Sequence, residues 1–480
     1  MKKITRHTFL FILLCLTTAL SNCVNQASQS SMSILKNKQP NILFIFADDM
    51  SYQVVNSLGN AEVQTPQIDL LMNSGTIFSH TYNQGGWNGA ICVASRSMLN
   101  CGQFLWNAHK RDKKKELESG QLWSQLMAKA GYDTYFSGKW HVSGVKATNI
   151  FKTVGNVRGG MPRQTDEGYN RPIEGKKDVW SPYDTKFGGF WEGGKHWSEV
   201  LGDNSVKFIQ QAAKSDKPFF MYLAFNAPHD PRQSPKKYVD KYPLKNISIP
   251  KSFLPEYPYA EEIAGKKLRD ERLAPYPRTH HAVKVNRQEY YAIITHMDDQ
   301  IRRIIEALKA SGKYDNTYIV FTADHGLSVG HHGLIGKQNM YDHSMRVPFV
   351  ICGPGIKAQR CNTSIYLQDI MPTTLELAGI KKPEQVQFKS LIPLLENSNQ
   401  PQYDAIYGGY IDKQRMITMG DFKLIHYPKS NTTLLFDLKN DPEEMKNLAA
   451  DAKYADTLKS LKKKFIELQK ETGDDLKVAF

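Results

Sequence analysis

Asn41-Ile-Leu-Phe-Ile-Phe-Ala47-Asp48-Asp49 decides the fold. An apolar run this short, closed by two acids, predicts a strand buried on both faces of a parallel sheet. In an open α/β sheet such a strand delivers its last side chains to the carboxyl edge, where ligands bind. Two adjacent carboxylates repel one another there unless a cation joins them; for a lone Asp-Asp pair, a helix N-cap or an Asx turn is the alternative. A second run of the same kind, Tyr318-Ile-Val-Phe-Thr-Ala-Asp324-His325-Gly326, favours the cation. Three carboxylates with an imidazole suit a hard divalent ion, Ca2+ ahead of Mg2+, better than a thiolate-rich zinc site.

Further strands run into groups that carry chemistry. Tyr132 to Phe136 leads to Gly138-Lys139-Trp140-His141, and Pro218 to Phe225 ends just before Pro228-His229. Gly120 to Ala130 reads as an amphipathic helix. The alternation of strand and helix, without a short internal repeat, predicts an α/β fold with a large mixed, mostly parallel sheet flanked by helices. Beyond Pro383 the pattern changes to short strands at Ala405 to Gly409, Met416 to Met419 and Phe422 to His426, then a charged helix from Ala452 to Glu471. The expected division is a catalytic domain at 40–382 and a smaller C-terminal antiparallel sheet with a helix at 383–480. Asp441-Pro-Glu-Glu444 reads as a helix-start turn rather than a second metal site.

Cys92-Val-Ala94-Ser95-Arg96 places an arginine one helical turn from a cysteine, where it stabilises a negative oxygen at position 92. Cysteine spacing also permits a Cys92–Cys101 disulfide and a Cys352–Cys361 loop around Gly353-Pro-Gly355. The five-residue context instead makes Cys92 a nucleophile precursor.

Taken in order, these motifs, closed by Gly336-Lys337, resemble the type I sulfatases of the alkaline phosphatase superfamily over nearly the whole mature chain. The resemblance implies an alkaline phosphatase-like fold and conversion of Cys92 to formylglycine, the nucleophile toward sulfate esters. It also implies Ca2+ held by Asp48, Asp49, Asp324, His325 and the modified Cys92, with His at 325 a variation seen in the family. Arg96 and Lys139 then hold the hydrated aldehyde, and Lys139 and Lys337 neutralise the sulfate oxygens. His229 is the expected general acid on the leaving sugar oxygen, and His141 takes the proton whose loss releases sulfate. Ala94 stands where most members have proline, which points to a radical-type sulfatase-maturing enzyme rather than the oxygen-dependent one.

The chain has 480 residues and a formal charge of +14, which favours polyanions. Nucleic acid is the rival partner, but no zinc finger or recognised nucleic-acid motif accompanies the charge, and none is expected to bind. Lys110-Arg-Asp-Lys-Lys-Lys115 and Lys462-Lys-Lys464 read as solvated faces. A sulfated carbohydrate explains the charge, and the tyrosines and tryptophans suit sugar stacking. Two stretches, Val145 to Trp197 and Arg232 to Arg287, read as long loops shaping a pocket. Sugar contacts are expected there from His196, Trp197, Arg269, Asp270 and Arg272.

Lys2-Lys3, Arg6 and the apolar run Phe9 to Leu16 read as an export signal at 1–22, too short to span a bilayer comfortably. Leu20-Ser21-Asn22-Cys23 resembles a lipobox. Acylation of Cys23, followed by a polar linker at 23–39, predicts a periplasmic or outer-membrane lipoprotein; cleavage to a soluble periplasmic product is the alternative. Two other functions compete: a phosphatase or phosphodiesterase of the same superfamily, with Ser or Thr as nucleophile and often two zinc ions, and a non-catalytic sulfated-glycan binding protein.

Overall fold

A computed structural model of the protein describes residues 39–263 and 265–480. The expected export signal and Cys23 lie outside the described residues. No described helix is long and apolar enough to cross a membrane.

The main sheet has eight strands. In chain order they are β1 (Asn41–Ala47), β2 (Thr76–Phe78), β3 (Asp133–Lys139), β4 (Thr153–Arg158), β5 (Phe219–Ala224), β6 (Thr317–Ala323), β7 (Phe349–Cys352) and β8 (Gln359–Cys361). They lie side by side as β8-β2-β7-β6-β1-β5-β3-β4. Only β7 runs against the others, so the sheet is mixed and mostly parallel, as the apolar runs required. Every residue of β1 and of β6 is buried. Burying an apolar side chain contributes about 1.5–3 kcal/mol, which makes this strand pair the anchor of the core. On one face Phe44 meets Trp123 edge-on at 5.1 Å.

Register turns this core into a site. β1 and β6 pair in step from Asn41↔Thr317 to Ala47↔Ala323, so Asp48 and Asp324 leave the sheet side by side. β5 and β3 run parallel on the other flank, with Gly138 opposite Ala224. A Cβ on Gly138, at φ +101°, would lie 1.8 Å from the Ala224 carbonyl oxygen. Only glycine allows this approach, and it sets the direction of Lys139.

Helix α1 (Ile91–Cys101) carries both Cys92 and Arg96, and α2 (Trp123–Lys129) fills the amphipathic stretch read at Gly120 to Ala130. The two expected long loops are partly regular. The first contains edge strand β4 and ends where α3 (Trp197–Ala213) begins. The second ends early, because α4 (His280–Ala310), of 31 residues, starts inside it with Thr279 accepting from the backbone N–H of Ala282.

The C-terminal sheet is a meander of β9 (Ile406–Tyr410), β10 (Gln414–Met419), β11 (Phe422–Tyr427) and β12 (Thr432–Asp437). Its fifth strand is Gly85–Gly86, which pairs parallel to β9. This link brings the loop preceding Cys92 onto the C-terminal sheet. Helix α5 (Ala455–Glu471) buries Leu461 and Phe465 against that sheet, with Phe465 edge-on to Tyr407 at 5.2 Å. Asp441-Pro-Glu-Glu444 begins no helix; the next helical turn starts at Ala452. Instead Glu443 approaches His331 at 3.1 Å and Glu444 pairs with Lys423 at 2.8 Å. Cys92, Cys101, Cys352 and Cys361 are all free thiols, so neither disulfide forms.

Candidate active site

Asp48 and Asp49 follow β1, Asp324 and His325 follow β6, Lys139 closes β3, His229 follows β5, and α1 presents Cys92 and Arg96. All these side chains are buried. Asp49 adopts a left-handed φ of 68°, a conformation Asp tolerates better than most residues. Its backbone N–H donates to Asp324 Oδ1 at 3.1 Å.

The cations interleave with the acids. Arg96 donates from Nε to Asp324 Oδ2 at 3.0 Å and from Nη1 to the Lys139 carbonyl at 2.9 Å, with Nη2 3.5 Å from Asp48 Oδ1. Lys139 pairs with Asp48 Oδ2. Lys337 donates to both oxygens of Asp49, at 2.8 and 3.0 Å, and lies 3.0 Å from His229 Nε2. His325 Nε2 stands 3.0 Å from Asp49 Oδ1. Burial alone would drive these lysines toward neutrality, but Asp48 for Lys139 and Asp49 for Lys337 overcome it and keep both charged.

Ligand atoms of Asp48, Cys92, Asp324 and His325 lie within 4.8 Å of one another, and those of Asp48, Asp49 and His229 form an overlapping group. Asp48 Oδ1 is buried without a hydrogen-bond partner. Arg96 Nη2, at 3.5 Å, is a charge nearby but no hydrogen bond, and a buried carboxylate oxygen without one costs free energy that a closer cation would offset. The carboxylates of Asp48, Asp49 and Asp324 and the imidazole of His325, spread over these two groups that share Asp48, fit a divalent metal ion.

Cys92 opens on a cavity of about 420 Å3, lined also by His141, His229, Arg269, Asp270, Lys337 and Gln338. Cys92 Sγ is 3.2 Å from His141 Nδ1. Burial pushes the thiol up, but Lys139, then hydrogen bonds to His141 and His325, and Lys337 outweigh it and hold it well below its ordinary value. A group at position 92 is thus stabilised as an anion.

The sequence-derived substrate contacts divide in two. Arg269 and Asp270 line the cavity. Arg269 pairs with Asp230, which lies 3.1 Å from His229 Nδ1, and Asp270 accepts from Gln338 Nε2 at 2.9 Å. The other three do not line it. His196 caps α3, accepting from the backbone N–H of Ser198 at 3.1 Å, and is sandwiched between Phe190 and His296. Trp197 stacks under Arg158 and donates to Glu192. Arg272 lies over Tyr169.

Asp230, behind His229 and Arg269, and Gln338, on the cavity wall, are groups that sequence reasoning did not single out. Each is the immediate neighbour of a residue that it did, His229 and Lys337.

This arrangement suits transfer of a tetrahedral oxyanion ester: positive groups for its oxygens, a nucleophile position beneath it, and an imidazole facing the leaving group. The sulfatase family model matches residues 40–380, and the model of the N-sulphoglucosamine sulphohydrolase C-terminal region matches residues 330–471. The chain belongs to the sulfatase family and is a sulfuric ester hydrolase. It is 28% identical to an arylsulfatase of Clostridium perfringens, over 89% of this chain and 94% of that one. It is 27% identical to an N-acetylglucosamine-6-O-sulfatase of Bacteroides thetaiotaomicron, over 95% of this chain and 90% of that one. A solved enzyme in complex with its substrate D-glucosamine-2-N,6-O-disulfate superposes with a TM-score of 0.72 at 25% identity, covering 91% of this chain and 99% of that one.

Proposed function

We propose that the protein removes a sulfate ester from a carbohydrate, through a formylglycine made from Cys92 and with Ca2+ as its metal. The observation that carries this reading is Cys92 at the cavity floor, 3.2 Å from His141 and held as an anion by Lys139. The sugar-sulfate activities named for two similar proteins support the carbohydrate.

Asp48, Asp49, Asp324 and His325 would hold the ion, which would supply Lewis-acid polarisation of a sulfate oxygen. Formylglycine supplies a hydrated aldehyde oxygen as the attacking group in place of Sγ. Around it, Lys139 and Lys337 neutralise the non-bridging oxygens, and Arg96 fixes the carboxylates of Asp48 and Asp324. His229 donates a proton from Nε2 to the departing alkoxide, oriented through Nδ1 by Asp230. His141 accepts a proton at position 92. Asp270 and Arg269, at the cavity wall, face the sugar.

Ala94 in the cysteine motif supports maturation by a radical-type enzyme. The basic, apolar N-terminus and Leu20-Ser21-Asn22-Cys23 support export and tethering of a bacterial lipoprotein to the periplasmic side of a membrane.

The test is free sulfate released from a panel of sulfated mono-, oligo- and polysaccharides by protein co-expressed with a radical maturase, beside Cys92→Ala and a phosphate-ester control. Sulfate release that vanishes in Cys92→Ala is expected. Phosphate release that survives Cys92→Ala would overturn the reading.

A further inference from the structure

Two hollows outside the catalytic cavity share Lys110 in their linings. The first, of about 430 Å3, is lined by Trp87, Trp106, His109, Lys110, Asp412 and Arg415, among others. Trp87 stacks on His109 with ring centroids 5.1 Å apart, and Arg415 lies 4.8 Å over the Trp106 ring. Trp106 Nε1 is buried and donates to nothing. An unpartnered indole N–H beside half-buried aromatic faces is a costly arrangement for a merely structural wall, and it is the arrangement that a sugar ring satisfies, by stacking and a hydroxyl acceptor.

Two short stretches of chain run from this hollow to the wall of the catalytic cavity. Trp87 precedes Gly89, which lines the cavity, and Ile411, in the hollow, follows Tyr410, whose hydroxyl faces Gly89. On the far side Lys110 also lines the second hollow, of about 620 Å3, with Arg111, Lys115, Asp112 and Glu116, Arg111 pairing with Glu116 at 2.5 Å and Lys115 left, among the described residues, as the basic group without an acid partner there. The basic run Lys110-Arg-Asp-Lys-Lys-Lys115, unused by the chemistry, thus borders the path. The acids of the aromatic hollow are already matched: Asp474 by Arg415, Asp475 by Lys110 and Asp412 by Lys429.

We propose that this path, from Gly89 across Trp87 and Trp106 to Lys115, binds the sugar residues that neighbour the one being desulfated, so that the enzyme takes a sulfated oligosaccharide or polysaccharide. The proposal rests on the carbohydrate sulfate reading above. Aromatic faces hold the rings, and the basic turn meets their further sulfates.

The test is native affinity electrophoresis of the full, unconverted protein through gels containing heparin, chondroitin sulfate or κ-carrageenan, with dextran and DNA gels as controls. Binding is read without turnover, so its outcome is separate from that of the sulfate-release panel. The expected result is retardation in at least one sulfated gel, reduced about tenfold in apparent affinity by Trp87→Ala and, independently, by Lys114→Glu/Lys115→Glu, whose exposed side chains leave the fold intact. Unaltered retardation in both variants, equal retardation in dextran, stronger retention on DNA, or none in any sulfated gel overturns the proposal.

Discussion

Nζ of Lys337 lies 3.0 Å from Nε2 of His229 while donating to Asp49 at 2.8 Å. Nε2 therefore accepts, and the ring proton sits on Nδ1, facing the Asp230 carbonyl at 2.8 Å and its carboxylate at 3.1 Å. A sulfate group that draws Lys337 to itself frees Nε2 to carry a proton toward the leaving oxygen. Burial pushes this imidazole down, but the carboxylates of Asp49 and Asp230 outweigh it and hold it above its ordinary value.

The pH dependence follows in sign. A general acid works protonated, so turnover of a sugar sulfate falls as pH rises through the raised pKa of His229. Asp230→Asn removes one of the charges that raise it, and the alkaline limb of kcat/KM moves to lower pH. His229→Ala lowers kcat/KM about 10^2- to 10^4-fold on a sugar sulfate. The loss is far smaller on an aryl sulfate, whose phenolate leaves without a proton. An unmoved limb in Asp230→Asn, or equal losses on both substrates, would remove His229 from this role.

Cys92 is set apart from the other described thiols. Burial pushes Cys101 up to about 12 and Cys352 up to about 11, while Lys139 and its neighbours hold Cys92 down. Unconverted protein treated with iodoacetamide at neutral pH is expected to carry the label at Cys92 and to leave Cys101 and Cys352 free, read by peptide mass mapping. Protein made with a maturase is expected to lose that label and gain reactivity toward a hydrazide. Labelling of Cys92, Cys101 and Cys352 at one rate would contradict the electrostatic reading.

Divalent cations should stabilise the fold through Asp48, Asp49, Asp324 and His325. Ca2+ at 100 times its Kd adds about 2.7 kcal/mol, visible as a rise in Tm that chelation reverses. Asp48→Asn and Asp324→Asn are expected to abolish that rise. A Tm indifferent to Ca2+, with the metal-free enzyme fully active, would exclude these residues as the ligand set.

What the sequence made legible is what local chemistry dictates. β1 and β6 are apolar runs closed by acids, and a parallel pair in register must set Asp48 beside Asp324. Lys139 and His229 could be placed because the first closes a buried strand and the second follows one. What stayed hidden depends on contacts distant in sequence. His196 looked like a loop residue free to meet a sugar, but Phe190 and His296 enclose it as a helix cap. Helix α4 was concealed at its start because Pro277-Arg278-Thr279 read as loop, although Thr279 is an N-cap. Gly85–Gly86 carries no strand signature at all. It can pair with β9 because Gly85 lacks a Cβ, which would otherwise lie 2.1 Å from the Gly409 carbonyl oxygen.

A buried lysine fastens the C-terminal sheet to the segment that follows Lys337. Lys423, buried on β11, pairs with Asp342, near the loop that carries Lys337, and with Glu444 at 2.8 Å. Glu444 in turn accepts from the Asp342 backbone N–H at 2.7 Å. Lys423→Met leaves two buried acids facing each other with only Arg346, 3.5 Å from Asp342, beside them, and is expected to cost about 3–5 kcal/mol. Burial already pushes Glu444 up to about 7, with Lys423 opposing that rise. A carboxyl raised above its unfolded value stabilises the fold below the unfolded pKa and loses that contribution as pH rises through the folded one. Without Lys423 the folded pKa climbs further, so Lys423→Met is most destabilised in mildly alkaline solution and partly rescued near about pH 5. Adding Glu444→Gln removes the ionisable partner and should recover much of the alkaline loss. Thermal melts of the three proteins at both pH values check this, and a Lys423→Met penalty independent of pH would show that packing of the lysine stem, not its charge, joins the two sheets.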